Sequence, residues 1–208
     1  MKPTPNQLSI FRIVLTPFFV WTFLLNDSIW KIVALAIFTV ASITDWYDGR
    51  LARKFGLVSV WGRFLDPLAD KILVLTVFMV FAIVKEVLLW MVLVIVIRDV
   101  IVTGLRIYAM YKKHPISTSY LAKAKTTSQL IVIFILLIYS VLKIYASQGI
   151  LWAADVVRFF AAYEIINILM WIVVLLTVFT GIQYLVENKV HVKSLFWDIF
   201  HVFYTSDV

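Results

Sequence analysis

Four aspartates carry the chemistry open to this sequence. They fall in two pairs, Asp45 with Asp48 and Asp66 with Asp70. Residues three or four apart on a helix share a face, so each pair makes an acidic edge. Two such edges turned towards each other form a cage of oxygen ligands suited to hard divalent cations. A single aspartate near a membrane face is ordinarily an interfacial acid, paired here with Arg50, Arg53 or Arg63. Four at helical spacing, bracketed by Gly49 and Gly62, favour a metal site over that reading. Gly49 lets a ligand lie against the helix one residue after Asp48, and Gly62 can do the same one turn before Asp66. Close helix packing accounts for these glycines and for Ala52 equally well. Arg53 presents a planar fork that suits phosphate oxygens, and Ser59 adds a hydroxyl to the same connection.

The elements that must position these groups are membrane helices. The chain has 208 residues, 63% of them hydrophobic and 15% charged, with a mean hydropathy of +0.98. Soluble domains are about half apolar and about a quarter charged, so the surplus must face lipid. Only six glycines and five prolines are present, which favours helices over a barrel of short strands. The absence of cysteine excludes disulfides, thiolate metal sites and thiol nucleophiles. The net charge of +7 reads as membrane orientation and attraction to anionic headgroups, with no nucleic-acid partner. The apolar run from Phe18 lacks a small-residue cleavage site and reads as a first span, not a cleaved leader.

The expected fold is all-α and polytopic, a single domain over 1–208. Six transmembrane helices are expected, preceded by a short N-terminal interfacial helix from Leu8 with Asn6 or Ser9 as cap. The spans fall at 13–25, 30–44, 64–84, 87–111, 127–145 and 160–186. A basic connection runs over 49–63, a tight turn falls at Lys85-Glu86, and a polar loop holds Lys112, Lys113, His114, Lys123 and Lys125. The segment 146–158 is a short link carrying Trp152. Glu164, an acid in the sixth span, is expected to snorkel or to pair with Arg158. The lysines and arginines gather after spans two and four and in the tail. Both termini and the acidic motif are therefore expected on the cytoplasmic side of the cell membrane.

The order D-x2-D-G-x2-A-R-x8-G-x3-D-x3-D, from Asp45 to Asp70, resembles the signature of the CDP-alcohol phosphotransferase family, with every position filled. The resemblance implies a six-span membrane enzyme, usually a homodimer. Such enzymes transfer a substituted phosphate from a CDP-linked donor to an alcohol and release CMP. It implies that Asp45, Asp48 and Asp66 bind one or two divalent ions, commonly Mg²⁺ or Mn²⁺, with Asp70 as general base that also touches metal. Gly49, Ala52, Arg53, Ser59 and Gly62 fall where the nucleotide donor lies.

The acceptor must be read elsewhere. Arg98 and Arg106 are eight apart on the fourth span and fall near one face. An unpaired cation at the depth of Arg98 is expensive, so pairing with Asp99 or the acidic motif is the alternative to a ligand role. Lys123, Lys125, Thr126 and Thr127 precede the fifth span and could form an anion site at a helix start; orientation charge is the alternative. Four stretches together resemble the phosphatidylglycerophosphate synthase branch of the family: Asn6 to Arg12, the Asp66–Lys71 form of the motif, Arg98-Asp99 with Arg106, and Lys123 to Gln129. The likeness covers about residues 5–130. Ser9 replaces the usual threonine and keeps its hydroxyl. What this branch implies is CDP-diacylglycerol as donor and sn-glycerol 3-phosphate as acceptor. Asn6 and Ser9 then fall with the donor, and Arg12, Arg98, Arg106, Lys123 and Lys125 with the acceptor phosphate. A cardiolipin synthase of the same family, using phosphatidylglycerol, is the near alternative. A divalent-cation or proton transporter is the alternative from another class, and the clustering of the acids at one membrane face speaks against it.

Overall fold

The computed structural model describes residues 5–25, 27–55, 60–112 and 120–204, with side chains at 10–25, 27–44, 69, 71–112, 120–195 and 197–198. Every element among them is helical: α1 (Pro5–Leu24), α2 (Ser28–Phe55), α3 (Val60–Ile83), α4 (Leu89–Tyr111), α5 (Tyr120–Ser147), α6 (Leu151–Ala162), α7 (Ile165–Glu187) and α8 (Lys189–Tyr204).

Six of the helices make a bundle. α1 packs on α2 and α3, α3 on α4, α4 on α7, and α5 on α2, α3 and α7. Phe23, near the end of α1, meets Phe81, near the end of α3, with ring centroids 4.9 Å apart. The Phe23 carbonyl accepts a 2.6 Å hydrogen bond from Lys31 Nζ, near the start of α2. α1 and α3 therefore run together, and α2 runs against them. Phe19, Phe23, Phe38 and Phe81 lie at the centre of the apolar core. α6 lies against α5, where Phe160 stacks on Tyr139. α8 docks on α4 and α7. There Asp198 accepts from the Tyr108 hydroxyl at 2.7 Å and pairs with Lys112 at 2.7 Å. The hydrogen bond to Asp198 holds the Lys112 ammonium above its ordinary pKa.

Polarity is arranged for lipid. Trp21, Ile43, Val100, Ile131, Leu175 and Phe179 are exposed, while Arg12, Lys31, Asp99, Lys125, Gln129 and Thr177 are buried. Charged and amide groups are costly against hydrocarbon and belong inside. α5 and α7 are long and apolar enough to cross a membrane. Among the described side chains, α1, α2 and α3 contribute the apolar runs Ile10–Leu24, Ser28–Thr44 and Lys71–Ile83, each part of a longer helix. α4 carries Arg98, Asp99 and Arg106 within its length.

Several sequence-based boundaries change. The short interfacial helix expected before the first span is not separate, because α1 is continuous from Pro5 to Leu24. Proline suits a first helical turn, where its missing N–H has no partner to lose. Further along, the Thr16 and Thr22 hydroxyls hydrogen-bond the Arg12 and Phe18 carbonyls one turn back. The connection over 49–63 is mostly helix, since α2 runs to Phe55 and α3 starts at Val60. The sixth span is broken at Glu164, which adopts a left-handed backbone (φ 47°) and separates α6 from α7. Glu164 accepts a hydrogen bond from Asn167 at 3.3 Å, while Arg158 pairs with Asp155 at 3.7 Å, so the expected Glu164–Arg158 pair does not form. The turn at Lys85 is as expected, with φ at 62°.

Candidate functional site

The two acidic pairs stand on the two antiparallel helices that approach each other in sequence at 55 and 60. Asp45 and Asp48 lie in the second half of α2, and Asp66 and Asp70 in the first half of α3. At about 1.5 Å per residue, Asp45 is roughly 21 Å along α2 from Lys31, and Asp66 and Asp70 are roughly 22 and 16 Å along α3 from Phe81. The pairs thus occupy one band of depth, measured from the end where Phe23, Lys31 and Phe81 meet. Their side chains, with those of Asn6, Ser9, Gly49, Ala52, Arg53 and Gly62, lie outside the described ones, and Ser59 lies outside the described residues. Among the described residues no group of three His, Cys, Asp or Glu could hold a metal. The four aspartates offer only carboxylate oxygens, the donor type that Mg²⁺ and Mn²⁺ prefer, so this donor set fits the implied ions.

One position beyond Asp70, Lys71 belongs to a second cluster, formed among the described residues by Lys71, Arg98, Asp99, Lys125 and Thr180. The Lys71 ammonium lies 3.0 Å from Asp99 Oδ2. Lys125 Nζ from α5 lies 2.5 Å from Asp99 Oδ1, and the Arg98 guanidinium donates to the same oxygen at 3.0 Å. The Asp99 carboxylate is wholly buried, and so, to within 1%, is the Lys125 side chain. The other guanidinium nitrogen of Arg98 donates to Thr180 Oγ1 on α7 at 3.1 Å. Gly181 makes room for this arm, since a Cβ there would stand 2.9 Å from Arg98 Cγ. Three helices, α3, α4 and α5, thus meet on one carboxylate, and α7 joins through Arg98. Three cations against one anion leave a formal excess of two positive charges. Among the described side chains this excess is not balanced, and buried charge is costly unless paired, which suits an anionic ligand.

The sequence profile of the CDP-alcohol phosphatidyltransferase family matches residues 2–179. The chain belongs to that family. It is 35% identical over 191 residues to a Rickettsia typhi protein named CDP-diacylglycerol--glycerol-3-phosphate 3-phosphatidyltransferase, covering 92% of this chain and 99% of the relative. Proteins of the same name from Bacillus subtilis and Haemophilus influenzae are each 33% identical, over 202 and 190 residues. These alignments cover 91% and 89% of this chain and 97% and 92% of the relatives. Membership makes this a membrane-lipid transferase family fold, and the family's dependence on divalent metal agrees with the all-carboxylate donor set.

Within that family fold, the basic residues separate into groups. Arg98 and Lys125 converge on Asp99. Arg106, two turns after Arg98, faces Tyr184 of α7. Arg12 is buried in α1, roughly 16 Å from Phe23 at helical rise and so at the depth of Asp70. Lys123 is exposed two residues before Lys125, and positions two apart do not share a helix face. The Thr126 and Thr127 hydroxyls donate to Ala122 and Lys123 carbonyls of their own helix, so the expected anion site at the start of α5 does not draw on them. Sequence reasoning missed Asp99 as the common partner, Lys71 as a member, and the Thr180-Gly181 seat. A lysine directly after Asp70 and an Arg-Asp pair inside an apolar span were the available signals for the first two. Gly181 carries no motif.

Proposed function

We propose that this protein is a phosphatidylglycerophosphate synthase, transferring the phosphatidyl group of CDP-diacylglycerol to sn-glycerol 3-phosphate with release of CMP. The observation that carries the choice of acceptor is the buried cluster at Asp99. Among the described side chains its three cations outnumber its one carboxylate, which supports a phosphate-bearing acceptor over a neutral polyol or an amine. A phosphatidylglycerol acceptor, with a monoanionic phosphodiester, brings less charge to it. Family membership and the names of the relatives support donor and reaction.

In this reading Asp45, Asp48, Asp66 and Asp70 hold two ions, Mg²⁺ or Mn²⁺, which when bound neutralise the donor pyrophosphate and the departing phosphate. Gly49, Ala52 and Gly62 leave room for the nucleotide, and Asn6, Ser9, Arg53 and Ser59 offer it polar contacts. Arg98 and Lys125, with Arg12, Arg106 and Lys123 as the wider basic field, draw in and orient the acceptor phosphate. Asp70 takes the proton of the 1-hydroxyl. The hydroxyl oxygen then attacks the phosphorus bearing diacylglycerol, the bond to the CMP oxygen breaks, and CMP leaves. Six of the helices span the cell membrane, with both termini and the site on the cytoplasmic side, and the chain works as a homodimer. The donor enters sideways from the lipid. The test is purified protein with Mg²⁺ or Mn²⁺, CDP-diacylglycerol and a panel of alcohols. CMP release is expected with glycerol 3-phosphate; release with phosphatidylglycerol or inositol phosphate and not with glycerol 3-phosphate would refute the assignment.

A further inference from the structure

Gln129 lies one turn after Lys125 on the same buried face of α5. It is 0% exposed, and neither its amide oxygen nor its amide nitrogen has a hydrogen-bond partner. A primary amide brings two N–H donors and an acceptor. Leaving a buried polar group unsatisfied costs about 1–3 kcal/mol, and folded proteins rarely do so without a reason. A second orphan accompanies it. Thr177 of α7, also 0% exposed, has no partner for its hydroxyl, and it lies one turn before Thr180, which receives Arg98. A third is Arg98 Nε.

The ion cluster fixes the relative depth of these groups. Lys125 is level with Asp99, and Arg98 with Thr180. One turn deeper on α5 is Gln129, and one turn deeper on α7 is Thr177, both about 5 Å beyond the cluster. On α4, α5 and α7 the buried residues Ile95, Ile133 and Val173 are hydrocarbon; on α2, which the Phe38–Phe134 contact sets against this part of α5, the Ser42 hydroxyl is likewise without a partner. An amide and a hydroxyl therefore stand orphaned directly behind a cationic seat that suits a phosphate. The molecule that satisfies both places has a phosphate at one end and a hydroxyl one helical turn away.

We propose that Gln129, together with Thr177, hydrogen-bonds the secondary hydroxyl of the acceptor and so selects a polyol phosphate over an alkyl phosphate. This rests on the assignment of glycerol 3-phosphate as acceptor. The residue acts on specificity, while the charge cluster acts on affinity for the phosphate.

The test compares glycerol 3-phosphate with 3-hydroxypropyl phosphate, which keeps the phosphate and the attacking hydroxyl and lacks the secondary one. CMP release is followed at saturating CDP-diacylglycerol in detergent. The wild-type chain is expected to favour glycerol 3-phosphate by roughly 10- to 100-fold in kcat/KM, the worth of one buried group left unpaired. Gln129→Leu is expected to bring that ratio to about threefold or less, with the KM for CDP-diacylglycerol within about twofold of wild type. Thr177→Val shifts the ratio the same way. Gln129→Met, closer in shape, serves if the leucine variant does not fold. A wild-type ratio near one overturns the proposal without any variant. So does a ratio that the variants leave unchanged while only thermal stability moves, which would mark Gln129 as a structural amide. Release of CMP with another alcohol and with neither phosphate would instead overturn the acceptor assignment.

Discussion

A methyl group on Gly181 tests whether the position of Arg98 matters to the acceptor. In Gly181→Ala the new Cβ would stand 2.9 Å from Arg98 Cγ, 3.5 Å from Nε and 3.8 Å from Cδ. Non-bonded carbons rest at about 3.5–4.0 Å, so Cγ must retreat by roughly 0.6–1.1 Å. Cγ sits near the root of the side chain and carries the guanidinium with it. The contacts to Asp99 at 3.0 Å and Thr180 at 3.1 Å then stretch beyond hydrogen-bonding range. A hydrogen bond to a charged group contributes about 1.5–3 kcal/mol, and about 1.4 kcal/mol is tenfold in affinity. The expected outcome is a rise of roughly 10- to 100-fold in the KM for glycerol 3-phosphate, with the KM for CDP-diacylglycerol unchanged. Stability should fall as well, because the helix gain of alanine over glycine, about 1 kcal/mol, does not offset crowding of about 1–3 kcal/mol and the loosened hydrogen bonds of a buried charge. CMP release against acceptor concentration and a thermal melt in detergent measure both. A folded variant with wild-type acceptor KM would refute the reasoning.

Three further outcomes follow from the same geometry. Asp99→Asn removes the one carboxylate shared by Lys71, Arg98 and Lys125 and should lower stability by about 3–5 kcal/mol, as for other broken buried pairs; an unchanged unfolding midpoint would show that the cluster does not hold the helices together. Asp70→Asn should reduce turnover by at least about 100-fold, the typical worth of general-base catalysis, while metal-dependent donor binding, followed by calorimetry, persists; normal turnover would remove the base assignment. Chelation with EDTA should stop CMP release, and added Mg²⁺ or Mn²⁺ should restore it; activity that survives exhaustive chelation would count against the carboxylate cage.

The reaction class was legible because it rests on spacing along two helices, and spacing is local. Asp45 to Asp70 states it completely. The acceptor cluster was only half legible. Arg98, Lys125 and Asp99 stand out as charges in apolar helices, yet their convergence on one carboxylate depends on how α3, α4 and α5 pack. Gly181 was invisible for a related reason: a glycine in an apolar helix reads as ordinary helix packing until the side chain that fills its space is known. The helix ends were misread where polarity was taken for a break. α1 runs through its polar N-terminal residues, while the break at Glu164 sits inside a mostly apolar stretch and depends on a left-handed backbone at a non-glycine residue.

The sequence separations within the Asp99 cluster also set an order of assembly during synthesis. Arg98 is its immediate neighbour, so α4 can enter the membrane with its acid already neutralised. Lys125 follows 26 residues after Asp99, and Thr180 comes 82 residues after Arg98. The cluster closes only when α7 has emerged. The C-terminal third, which bears no signature of its own, is then expected to be the part of the nascent chain that commits the rest to its final arrangement.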